Sequence, residues 1–190
     1  SEIDSGLTDH GTSVAEVVNY TAPDANLVLI KTISFPQFQS AGEWVKEQKE
    51  IDVVVASLAY YGVRLDGNSK LTEPVAKDKD TLWINSAGNE ATGNHWHGTQ
   101  SVDQNEFVTF DDNGSTCNYV QTYGGRTIYA QWTDWDSSTA DDYDLYISRY
   151  DRNTGNLTPV DQGDANQTRG ALPYEFAYIP RTSDKETYCI

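Results

Sequence analysis

The chain of 190 residues contains no methionine, only two cysteines, and only 13 Lys and Arg against 29 Asp and Glu. The shortage of positive charge leaves a net charge of -16, which repels phosphate backbones and anionic lipid surfaces and argues against nucleic acid or membrane as a partner. It favours solubility and cation binding, although plain solvation or adaptation to salt explains the same charge. No apolar run approaches the roughly 18 residues that cross a bilayer, so no membrane-inserted helix is expected. No basic-then-apolar signal segment opens the chain. A start at Ser1 and the lack of methionine suggest a processed or excised fragment.

With only Cys117 and Cys189, both in the C-terminal half, a multi-bridge framework is excluded. A single disulfide closing a long loop is expected, with two buried free thiols as the alternative. Asn-x-Ser/Thr triplets at Asn19, Asn113, Asn156 and Asn166 are compatible with a glycosylated surface. Together these features point to an extracellular or cell-surface setting.

The hydrophobic pattern changes at about Asn94. Residues 1–93 read as alternating helix and strand. Asp9 stands as a cap, and Val14, Val17 and Val18 fall at helical spacing. Leu27 to Ile30 is apolar at successive positions, as in a parallel strand buried on both faces. A helix is expected over Ser40 to Lys49, a second buried strand over Val53 to Ala56, another helix over Leu71 to Lys79, and a third strand over Leu82 to Ile84. The small residues Ser86, Ala87 and Gly88 and then Asn89 come after that third strand, where open α/β sheets keep their sites. Residues 94–190 instead show short alternating aromatic runs, at Phe107 to Phe110, Ile128 to Trp132 and Tyr143 to Ile147, separated by Asp, Asn and Gly turns. The fold class is therefore α/β plus all-β: a partial doubly wound parallel sheet, then an antiparallel β-sandwich of the jelly-roll kind.

The stretch His10, Gly11, Thr12, Ser13, Val14, Ala15 resembles the histidine motif of the subtilisin family, the subtilases. Ala22, Pro23, Asp24 and Ala25 are similar to the segment that succeeds this motif in the family, and Ser86 to Glu90 resembles the family's oxyanion segment. The resemblance implies a secreted serine endopeptidase that hydrolyses polypeptide substrates. His10 would act as general base and acid, and Asn89 would donate its side-chain amide to the oxyanion. Ser57, Leu58 and Ala59 would line the substrate groove as a peptide-binding strand edge, the alternative being an ordinary strand end.

The departures from the family are equally specific. Asp4 stands too close to His10 to match the family's strand-borne aspartate, and no Gly-Thr-Ser-x-Ala nucleophile motif comes after Asn89. The chain alone is thus expected to be inactive, with missing flanking segments of a parent protein as its partners. The second half resembles the β-sandwich modules, pre-peptidase C-terminal-like, that accompany secreted peptidases, carried by Trp132 to Asp136, Asp141 to Tyr146, Gln167 and Pro173 to Glu175. Asp134, Asp136, Asp142 and Asp144 are candidate oxygen ligands for Ca²⁺, with solvated turns as the alternative. His95 and His97 flank Trp96 without a third zinc ligand nearby, so a packed domain junction is the plainer reading. A catalytically inactive scaffold that binds partners, or a calcium-dependent carbohydrate module using Trp135 and Tyr143, are the rival functions.

Overall fold

In a computed structural model, residues 9–64, 66–89, 94–135, 141–167 and 171–190 are described. The described secondary structure is mostly β, with 17% of residues helical and 25% in strands. The chain divides into two compact units, Ser1–Gly88 and Asn89–Ile190. Among the described residues, no helix is long and apolar enough to cross a membrane.

The first unit holds α1 (His10–Thr21), α2 (Phe35–Val45), β1 (Val53–Ala56), α3 (Glu73–Lys77) and β2 (Leu82–Asn85). Helix α2 begins earlier than its apolar stripe suggests, because Pro36 sits in the first turn, where its missing N–H costs nothing. Strands β1 and β2 pair in parallel, Val53 opposite Leu82 and Ala56 opposite Asn85. Trp83 faces α2, with its ring centroid 6.4 Å from that of Phe38. Gly42 of α2 is required by close packing, since a Cβ there would come within 2.7 Å of the Pro74 side chain.

Two expectations for this unit are overturned. Leu27 to Ile30 forms no strand, and these residues are exposed. Strands β1 and β2 are not buried on both faces: Val53, Val55, Leu82 and Ile84, which alternation places on one face, are each 45–59% exposed. The reason is the sheet's width. Among the described residues only two strands pair, and α2 shelters Trp83 on one face while no described helical layer of the kind a wide parallel sheet carries covers the other.

The second unit pairs β3 (Tyr119–Thr122), β5 (Leu145–Tyr150), β6 (Leu157–Gly163) and β8 (Glu186–Cys189) into an antiparallel sheet of order β3-β8-β5-β6. Strands β4 (Arg126–Gln131) and β7 (Tyr174–Ile179) form a second antiparallel sheet. Leu145, Ile147, Ala177, Ile179 and Tyr188 make one core from both sheets, joined by Val120, Ile128, Ala130, Val160 and Ile190. Ile147 and Ile179 are almost wholly buried, and burying a side chain of that size contributes about 1.5–3 kcal/mol. The chain crosses from β3 to β4 through Gly124 and Gly125, both at positive φ. At Gly124 a Cβ would collide with the Pro180 carbonyl oxygen. The expected strand at Phe107 to Phe110 shrinks to one bridge between Val102 and Val108. Asp103 takes the N–H groups of Asn105 and Phe107, so the intervening chain is spent in a tight turn. Cys117 and Cys189 form a disulfide with Cα atoms 5.0 Å apart and no cysteine is free, which decides between the two expectations. The bridge spans 72 positions, a loop whose closure restricts the unfolded chain by about 4 kcal/mol in the chain-entropy account.

Asp78 ties the end of α3 to β2. Its carboxylate accepts the Trp83 indole N–H at 2.9 Å and the N–H groups of Asp80 and Thr81 at 3.1 and 3.2 Å. These donors, the indole first, hold its pKa at about 2. Because the folded value lies below the unfolded one, the bonds stabilise the unit above about pH 4 and are lost as pH falls toward 2. Asp78→Asn is therefore expected to melt at a lower temperature than the parent at pH 6, with the difference closing between pH 4 and pH 2. A gap that persists unchanged at pH 2 would contradict this assignment.

Candidate functional site

Parallel pairing brings the carboxyl ends of β1 and β2 side by side, and two polar side chains, those of His10 and Ser86, meet backbone carbonyls there. Ala56, the last residue of β1, accepts the backbone N–H of Ser86 at 3.1 Å, which extends the ladder one step beyond β2. The Ser86 hydroxyl donates to the Leu58 carbonyl at 3.1 Å. His10, the first residue of α1, places its ring Nε2 2.9 Å from the Ser57 carbonyl oxygen. The histidine and the small-residue turn after β2 thus both reach the same short segment, Ser57 to Leu58.

This geometry sets the chemistry of the histidine. A carbonyl oxygen only accepts, so His10 Nε2 carries a proton here and acts as a donor. To accept a hydroxyl proton at Nε2, the ring must first leave Ser57. The Ser57 and Leu58 carbonyls, on the segment expected as a strand edge with Ala59, each accept one side-chain hydrogen bond, from His10 and Ser86. Asn89 is exposed, one residue beyond Gly88, whose φ of 87° turns the chain away from β2. Asp4 lies outside the described residues. A shallow groove runs beside α1, lined on the helix by Thr12, Ala15, Glu16 and Asn19 and opposite by Leu27 and Leu29.

The acidic candidates of the second unit are partly brought together. Asp134 accepts the Asp141 N–H at 2.6 Å, and Asp142 accepts the Gln167 N–H at 2.8 Å and the Asn166 amide at 3.0 Å. Asp144 instead accepts the Tyr146 hydroxyl at 2.9 Å, and Asp136 lies outside the described residues. Among the described residues, no three His, Cys, Asp or Glu side chains gather as a metal-ligand group. Trp96 packs edge-on against Phe110 at 5.1 Å and donates to its carbonyl at 3.0 Å, which accounts for the residue between His95 and His97.

Two features were not expected. The first is the Ser86 hydroxyl as a clasp on Leu58. The second is the burial of Glu175 and Gln167, which are 3% and 5% exposed and joined by a hydrogen bond of 2.5 Å. A signal for the second existed: Glu175 lies in phase with Ala177 and Ile179, the inward positions of β7.

No family model matches the chain, and neither a curated protein nor a solved structure matches it.

Replacing Ser86 by Ala removes a donor from the Leu58 carbonyl and is expected to cost the first unit about 1 kcal/mol. Faster amide exchange in β1 and β2 would report it. Unchanged exchange at the amides of Val54 to Ala56 and Ser86 would show that the clasp contributes nothing.

Proposed function

We propose that the chain belongs to a secreted serine endopeptidase of subtilisin type that hydrolyses polypeptides, with His10 as general base and acid and, by the sequence resemblance, Asn89 as oxyanion donor. The observation that carries this reading is the meeting of His10 and Ser86 on the Ser57 to Leu58 segment, at the carboxyl end of a parallel pair. The motif order, histidine motif, then apolar strand-like runs, then the Ser86 to Glu90 segment, supports it from the sequence. Hydrolysis needs an attacking serine and an aspartate to orient the imidazole. In this reading the parent protein supplies both from segments outside these residues, and the chain alone does not cleave peptides. The second unit accompanies it as a β-sandwich module. The disulfide fits an oxidising, extracellular setting.

A second reading is favoured by one observation: His10 Nε2 already donates to a backbone carbonyl, as a structural histidine would. Here the unit is a scaffold that has lost its chemistry and serves as a surface or binding protein. Labelling the native parent protein with a fluorophosphonate probe separates the two. The peptidase reading expects a labelled serine outside this chain and at least a hundredfold less labelling when His10 is replaced by Ala. A folded parent that takes no label would establish the scaffold instead.

A further inference from the structure

The outward face of β4 and β7 carries side chains that the core does not use. Ile128 and Ala130 of β4 and Ala177 and Ile179 of β7 point into the core. Alternation therefore turns Thr127, Tyr129 and Gln131, together with Tyr174, Phe176 and Tyr178, to the other side. Register sets them out as three facing pairs, Thr127 opposite Tyr178, Tyr129 opposite Phe176 and Gln131 opposite Tyr174. Phe176 is 54% exposed, Tyr178 47% and Tyr129 43%. A lone exposed aromatic needs no explanation, but four within one set of six make a contiguous patch, which marks a binding surface.

The rings run on from one another. The Phe176 centroid lies 6.5 Å from that of Tyr174, with planes 19° apart, and 6.2 Å from that of Tyr129, with planes 38° apart. Cross-strand pairing with Tyr129 steadies the sheet, yet it leaves more than half of Phe176 to solvent. None of the six residues is charged, in a chain whose net charge is -16. Their polar groups are neutral and work both ways: the tyrosine and threonine hydroxyls and the Gln131 amide each donate and accept.

Size and charge select the occupant. A globular partner or a second copy needs about 20–30 residues a side, whereas this strip offers six, on two strands about 5 Å apart. A slender chain fits it. A basic polymer finds no carboxylate among the six, and an acidic one is repelled by the net charge. An added peptide strand pairs with a sheet edge through its backbone, and a polyproline helix docks into an aromatic-lined groove, whereas these side chains stand on a sheet face. A neutral sugar chain matches both halves of the surface. The apolar C–H faces of its rings lie on the aromatic rings, and its hydroxyls meet groups that donate and accept. We infer that the outward face of β4 and β7 binds a neutral polysaccharide, with Tyr129, Tyr174, Phe176 and Tyr178 stacking on sugar rings and Thr127 and Gln131 bonding to hydroxyls. This site is distinct from the calcium-dependent one expected at Trp135 and Tyr143. It uses no metal, and the Tyr143 ring is spent against Trp132, centroids 5.0 Å apart. It belongs to the second unit and does not depend on the proteolytic reading.

Titrating the chain with cellohexaose, chitohexaose and mannohexaose, followed by ring-proton NMR shifts and calorimetry, tests the site. At least one of the three is expected to shift the ring protons of Tyr129, Tyr174, Phe176 and Tyr178, with an affinity that neither EDTA nor added salt changes. Phe176→Ala, folded by circular dichroism, is expected to weaken binding about tenfold. Gln131→Ala, which leaves the rings in place, is expected to weaken it about threefold, and Tyr123→Ala, in the turn between β3 and β4, to change nothing. Several results would overturn the inference. They are no shift with any of the three sugars, binding that folded Phe176→Ala and Gln131→Ala leave unchanged, shifts with an oligoproline peptide but with no sugar, or a dimer in sedimentation velocity that Phe176→Ala dissolves.

Discussion

The parallel pairing of β1 with β2 is the contact on which the first unit depends. It joins segments far apart in the chain, sets Trp83 against α2, and brings the turn after β2 beside the end of β1. Parallel strands cannot be joined by a tight turn, and here the crossover contains α3, whose end is fastened to β2 through Asp78 and the Trp83 indole. The same register decides where polar groups can meet. Ser86 continues the ladder past Asn85, its hydroxyl reaches Leu58, and His10 arrives at the adjacent carbonyl from the start of α1. A slip of one residue would turn Trp83 from α2 to the bare face and break this cluster.

The second unit solves a different problem. Two antiparallel sheets bury alternate residues against one another, and the disulfide fastens the end of β8 beside the start of β3. Tyr178 donates its backbone N–H to Asp161 at 2.7 Å, which links β7 to β6 across the two sheets. Toward Gln167 the same inward phase of β7 changes from apolar to polar at Glu175. There packing gives way to hydrogen bonds that the chain's own atoms satisfy only in part.

Much of the fold was legible in the sequence where local pattern and tertiary environment agree. Val53 to Ala56 forms the strand its apolar run implies, Leu82 to Ile84 lies within β2, and Ile128 to Gln131 lies within β4. The pattern misled where its cause was not local. Leu27 to Ile30 has the composition of a buried strand but no strand to pair with among the described residues, and composition alone does not create a partner. Tyr143 was expected to open a strand, yet β5 begins at Leu145, because Asp142 and Tyr143 are taken by Gln167 and Trp132. His10 stood out in the sequence through its motif. Its attachment to Ser57 did not, since a hydrogen bond across 47 positions is a tertiary contact with no trace in local spacing.

His10 stands at the carboxyl end of β1, against the segment that Ser86 also grips, and the functional reading rests on that placement. Nuclear Overhauser contacts in the isotopically labelled chain test it most directly. The arrangement requires contacts from the His10 ring protons to Ser57 and Leu58, together with cross-strand contacts between Val55 and Ile84. A chain that shows the β1–β2 contacts but none from the His10 ring would contradict it, and the histidine would then have no place in a site built on these strands.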